Sequence, residues 1–168
     1  MQVPQRRSEL NRKYGGDGDN FLSAEAIASL KDELHRLERA LPAATEELNR
    51  TREMGDLSEN AAYQDAKRRL FGLNGRILAV KEKLKNAIVI EPGADTEGKA
   101  RIGAIVIVSV GDKRRQYVIT GSQETDPASG KISHLSPLGS ALLGHAAGDT
   151  VIVKTNGREA IYRIESVK

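Results

Sequence analysis

Cysteine and tryptophan are absent from this 168-residue chain, and aromatic residues make up only 4% of it. Without cysteine there is neither a disulfide framework nor a thiolate metal site, which fits a reducing compartment. No stretch approaches the 18 consecutive apolar residues that a membrane-spanning helix needs. Arg6 and Arg7 near the start are followed by no apolar run, so no signal peptide is visible. A cytoplasmic location is therefore expected. A strong excess of one charge is also lacking, with 26 basic against 23 acidic residues and a net charge of +3. Residues 1–20, 21–86 and 87–168 each carry one more basic than acidic residue. Bulk charge therefore announces no nucleic-acid binder. No nucleophile motif and no phosphate-cradling glycine loop occurs. His35, His134 and His145 are scattered, without metal-ligand partners at helical spacing, and read as structural or surface groups.

Two apolar heptad patterns stand out instead. Leu30, Leu34, Leu37, Leu41, Ala44 and Leu48 alternate at four and three residues. Tyr63, Ala66, Leu70, Leu73, Ile77, Val80 and Leu84 then continue at three and four. This period predicts two coiled-coil helices, and so short a connection folds them back as an antiparallel hairpin. Ser23 is a suitable cap for a first helix from 23 to about 54, with a kink expected near Pro42. The second helix is expected from about 57 to 86. Gly72 and Gly75 weaken it by about 1 kcal/mol each, and their small size suits close packing. Residues 1–20, with Gly15-Gly16-Asp17-Gly18, read as a flexible or loosely docked tail.

From Ala87 onward the period becomes two. Residues 87–91 form a short β-rich run, and strands are expected over 104–110, 116–120, 131–135, 150–155 and 159–167. Asn156-Gly157 is a strong two-residue hairpin signal. Ser136-Pro137 places a capping serine before a proline, opening a short helix to Leu143. The fold class is α+β in two domains: an α-helical hairpin over 21–86 and a small antiparallel sheet with one helix over 87–168.

The chemistry concentrates between the helices, at Arg52-Glu53-Met54-Gly55-Asp56-Leu57-Ser58-Glu59-Asn60. Carboxylate oxygens suit magnesium, which often binds through one or two protein carboxylates plus phosphate oxygens. Asp56 and Glu59 would thus supply half of a metal site, the other half coming from whatever the tip enters. The same Asp-x-x-Glu spacing also makes a capping box, with both acids favoured at the positive helix end. The two readings are compatible, because a capping carboxylate retains free lone pairs.

Gly55-Asp56-Leu57-Ser58-Glu59-Asn60-Ala61-Ala62-Tyr63 resembles the tip motif of the bacterial transcript cleavage factors of the GreA/GreB family. A second signature of that family lies at 133–143, Ser-His-Leu-Ser-Pro-Leu-Gly-Ser-Ala-Leu-Leu, followed by Gly148-Asp149. The resemblance spans roughly residues 21–168. It implies an N-terminal antiparallel coiled coil and a C-terminal FKBP-like domain that docks on RNA polymerase, through Ser133, Ser136, Pro137, Leu138 and Leu142. It implies that the coiled coil enters the polymerase secondary channel. There Asp56 and Glu59 would share a Mg2+ ion with the polymerase active site, none being held tightly by the isolated chain. The implied outcome is hydrolysis of the 3′ end of nascent RNA in backtracked complexes. The chain would then be an accessory factor and not itself an enzyme.

Arg52, Gly55, Ser58, Asn60 and Tyr63 are the expected supports of the tip, with packing the default role of Tyr63 on the seam. Lys67, Arg68 and Arg69 fall about where related hairpins contact RNA. They are equally readable as a solvated face with Glu46 and Glu47 nearby. Ala62 departs from the family pattern, which has an acid there, and removes a charge near the tip. An FKBP-like fold does not carry isomerase activity, and Tyr117 and Tyr162 are too few to line an apolar pocket. A non-cleaving channel regulator of the same fold is the alternative. A monomer with no membrane association is expected.

Overall fold

The computed structural model describes residues 19–54, 60–155 and 157–168. Two compact units result, one of residues 25–87 and one of residues 88–168 together with residues 19–24.

The first unit is the hairpin, built from α1 (Ala24–Arg52) and α2 (Ala61–Asn86). Its seam is the heptad pattern: Leu37, Ile77 and Val80 are buried, with Leu30, Leu34, Leu41, Leu73 and Leu84 around them. Such burial, about 1.5–3 kcal/mol for a fully buried aliphatic side chain, supplies most of the stability of a helix pair. Arg76 meets Glu33 and Lys81 meets Glu38 across the seam, both at 2.9 Å. These exposed pairs add less than about 1 kcal/mol each, so the apolar seam decides. Pro42 does not break α1, which runs unbroken through it. Gly72 and Gly75 do not serve close packing, because a Cβ at either position would meet nothing within 4 Å. The second helix also starts later than the motif suggests, at Ala61 and not near residue 57.

The second unit contains a two-stranded and a five-stranded sheet. In the first, β1 (Phe21–Leu22) pairs in parallel with β2 (Ile88–Val89). The second comprises β3 (Ile105–Val110), β4 (Lys113–Thr120), β5 (Lys131–Ser133), β6 (Thr150–Thr155) and β7 (Arg158–Val167). Their order is β5-β4-β3-β7-β6, antiparallel except for β4 with β5. The strand β4 begins at Lys113, because the register from Val110↔Lys113 continues without a break. A short helix, α3 (Pro137–Leu142), completes the unit. Ala104, Val106, Val108, Ile119, Leu142 and Ile164 are fully enclosed in its core.

Asp19 and Asn20, expected in a loose tail, are held in this unit. The Asp19 carboxylate accepts a hydrogen bond from Ser122 N, and its carbonyl accepts one from Gln123 Nε2 at 2.9 Å. The Asn20 carbonyl accepts from Ile88 N at 2.8 Å. Phe21, expected to begin the hairpin, packs instead against the C-terminal core, its ring edge-on to buried His134 at 5.4 Å. Glycine is required opposite it: a Cβ on Gly121 would lie 2.2 Å from the Phe21 carbonyl oxygen.

Candidate functional site

The hairpin end is built by three residues that pin the helices on either side of the acidic stretch. Thr51, only 2% exposed, directs its hydroxyl back to the carbonyls of Glu47 and Leu48 at 2.9 and 3.0 Å. Its own carbonyl accepts from Asn60 Nδ2 at 2.9 Å. Asn60 Oδ1 in turn accepts from Tyr63 N at 3.0 Å, so Asn60 is the N-cap of α2. One amide side chain therefore satisfies an orphan donor of α2 and holds the last turn of α1. The N-cap of α2 is thus Asn60, while the capping box expected of Asp56 and Glu59 falls outside the described residues.

Arg52 ends α1 and is exposed, and Tyr63 is half-buried on the seam. Gly55, Asp56, Ser58 and Glu59 lie outside the described residues. Among the described residues no cluster of three or more acidic, histidine or cysteine side chains could hold a metal. Magnesium takes six oxygen ligands and keeps several of its waters, so one or two protein carboxylates hold it weakly without further oxygens such as phosphates.

Further along α2, Lys67, Arg68 and Arg69 are exposed. Arg68 and Arg69 both reach Asp65, at 3.3 and 2.8 Å. Glu47, considered as a partner for this run, instead forms a bidentate contact with Arg50 of its own helix. Asp65 was legible as that partner from its placement three and four residues before the arginines.

In the other unit, the segment 133–143 is a tightly bonded turn and helix. Ser136 Oγ donates to the Ser133 carbonyl at 2.6 Å and accepts from Gly139 N at 3.0 Å. Ser133 Oγ accepts from Leu135 N at 3.0 Å. Gly139 is required by this closeness, for its Cβ would sit 2.1 Å from the Ser133 carbonyl oxygen. Leu142, expected on a docking surface, is fully buried, and Leu138 packs against the core. Their spacing of four puts both on the inward face of α3, leaving Leu135 and Pro137 as the exposed apolar groups of the segment. His134 is buried, its Nδ1 3.2 Å from the Thr120 carbonyl. Asp149 closes the neighbouring loop, accepting from Ala146 N at 3.0 Å and standing 3.2 Å from His145 Nδ1. The Ala146 amide chiefly, and then His145, hold its carboxyl below the usual range.

No described helix is long and apolar enough to cross a membrane. Two family models match the chain: the N-terminal model of the GreA/GreB transcription elongation factors over residues 20–89, and their C-terminal model over 95–168. The transcription elongation factor GreA of Ralstonia nicotianae is 42% identical over 143 residues, spanning 83% of this chain and 90% of that protein. GreA of Anaeromyxobacter is 39% identical, over 84% of this chain and 87% of that one. Among solved structures, the GreA factor homolog 1 of Thermus thermophilus aligns with 88% of this chain and 97% of that one, at 24% identity and a TM-score of 0.39. Two family models covering nearly the whole chain, with relatives above 30% identity along most of it, place it plainly: the chain belongs to the GreA/GreB family of transcription elongation factors.

Proposed function

We propose that the chain is a transcript cleavage factor that acts on a backtracked RNA polymerase. The C-terminal unit docks on the polymerase, with Leu135 and Pro137 outward and Ser133, Ser136 and Leu138 shaping the segment behind them. The hairpin enters the secondary channel, bringing Asp56 and Glu59 to the active centre. The supporting observation is the clasp of Asn60, which caps α2 and holds the last turn of α1, fixing the helices on either side of the acidic stretch.

The reaction is hydrolysis of a phosphodiester near the 3′ end of the nascent RNA, leaving a new 3′ end at the active centre. A magnesium ion shared with the polymerase would activate the attacking water and offset the charge of in-line displacement. This chain contributes the two carboxylates and their position. Ser58 and Arg52 lie beside them in sequence and are assigned to orienting water or phosphate. Asn60, Gly55 and Tyr63 support the tip, and Lys67, Arg68 and Arg69 face the RNA. On this reading the factor completes a site it does not own, and is no enzyme by itself.

The test adds the intact chain to a stalled, backtracked polymerase complex with magnesium and follows RNA length. Shortening that requires the chain is expected. Binding to polymerase with no shortening would instead make the chain a channel-binding regulator.

A further inference from the structure

Opposite its seam, α2 carries apolar side chains that the hairpin leaves uncovered. Phe71 is 69% exposed and Leu78 61%. Between them lies Gly75, roughly 140–160° round the helix from Leu73, Ile77 and Val80 of the seam. Gly72 and Ala79 are exposed beside it. A Cβ added at either glycine would meet nothing within 4 Å. The ion pairs of Arg76 with Glu33 and Lys81 with Glu38 tie α2 to α1 along the flanks of the seam, away from this face. Two glycines that weaken the helix and serve no packing inside the hairpin thus sit in the middle of an exposed apolar patch.

The patch is symmetric about Gly75. Phe71 stands four residues before it and Leu78 three after; Gly72 stands three before and Ala79 four after. Arg68 and Glu82, both exposed, lie seven residues to either side. Helical geometry puts Phe71 and Leu78 on one side of Gly75, and Gly72 and Ala79 on the other. A two-fold axis at Gly75 that makes two copies of α2 antiparallel sets Phe71 against the partner's Leu78 and Gly72 against the partner's Ala79. It also sets Arg68 against the partner's Glu82. Arg68 has charge to offer there, since it reaches Asp65 only at 3.3 Å and shares it with Arg69 at 2.8 Å. A parallel pair would instead set Arg68 on Arg68 and Glu82 on Glu82. Where the antiparallel backbones cross, Gly75 meets its own copy, so the axes can approach to the short end of the roughly 8–10 Å range.

We propose that this face of α2 is a self-association surface, on which a second copy of the chain docks antiparallel. Phe71 and Leu78 are its apolar anchors, and Arg68 with Glu82 fixes its direction. This departs from the monomer expected of the sequence. The contact from Arg68 to Glu82 spans about 21 Å. A single helix pair of that length falls at the small end of specific interfaces, below about 1,200 Å2 in total, so the dimer is weak and forms as concentration rises. It concerns the free chain and stands independently of the cleavage reading.

The experiment is sedimentation equilibrium of the full chain from about 10 μM to about 1 mM, the range of weak dimers. The average mass is expected to rise from 18.2 kDa towards twice that value. Gly75→Leu fills open space in the hairpin but obstructs the crossing. It should weaken association at least about tenfold while circular dichroism shows the helix content intact. Phe71→Ala should weaken association about tenfold as well. Arg68→Glu and Glu82→Arg should each weaken it, and an equimolar mixture of the two variants should restore it, because each mixed pair again sets opposite charges together. A mass that stays at 18.2 kDa throughout overturns the proposal and leaves the face to a different protein. Association that ignores Gly75→Leu also overturns it, by moving the contact elsewhere on the chain. A mixture of the charge variants no heavier than either alone overturns the antiparallel docking.

Discussion

Asn60 donates from Nδ2 to the Thr51 carbonyl at 2.9 Å, so the cap of one helix is also the clasp of the other. Replacing Asn60 with alanine removes both bonds at once. Loss of a cap costs about 1 kcal/mol, and the lost hydrogen bond to the Thr51 carbonyl, which keeps Met54 N as a donor at 3.4 Å, costs about as much again. Asn60→Ala should therefore destabilise the hairpin by about 2 kcal/mol in denaturant unfolding, and Asn60→Asp, which keeps the cap acceptor but not the donor, by less. If Asn60→Asp loses no stability, the clasp to Thr51 contributes nothing; if it loses as much as Asn60→Ala, the cap contributes nothing.

Gly72 and Gly75 weaken α2 without any packing return within the hairpin. Gly72→Ala should raise stability by about 0.5–1 kcal/mol, since alanine costs less to order in a helix. Thermal unfolding followed by circular dichroism checks this, and a lower midpoint would mean that a neighbour does approach this site.

Asp149 gives the C-terminal unit a defined acid sensitivity. Its carboxyl is depressed in the folded chain, chiefly by the Ala146 amide. The stabilising contribution is therefore complete above the unfolded value of about 3.9 and is lost as pH falls through the folded one. Asp149→Asn should lower the unfolding temperature near neutral pH, with the gap to the intact chain closing below about pH 4. A gap that persists unchanged to pH 2 would show that ionisation is not the source.

Much of this was legible from residue spacing. The alternation around Leu37, Ile77 and Val80 names the seam of the hairpin because a coiled coil buries each residue by its periodic position. Ser136 before Pro137 marks the start of α3 for a similarly local reason. The pairing of Phe21–Leu22 with Ile88–Val89 was not legible, because two residues carry no alternation and their partners lie far off in sequence. The parallel placement of β5 beside β4 is likewise a matter of chain path. At the tip, Asp56 and Asn60 are both good caps by residue type, and spacing alone did not single out Asn60 as the cap of α2. Leu142 was misplaced on a surface because a motif names residues without saying which face they occupy.

The central claim is that Asp56 and Glu59 complete a hydrolytic site inside the polymerase. The most direct measurement compares RNA shortening in a backtracked complex with magnesium, using the intact chain and one carrying Asp56→Asn with Glu59→Gln. These changes keep side-chain size and remove the charge, so polymerase binding should persist while shortening falls at least a hundredfold, or about 2.7 kcal/mol of barrier. Equal shortening by both chains would contradict the account and move the chemistry away from the tip.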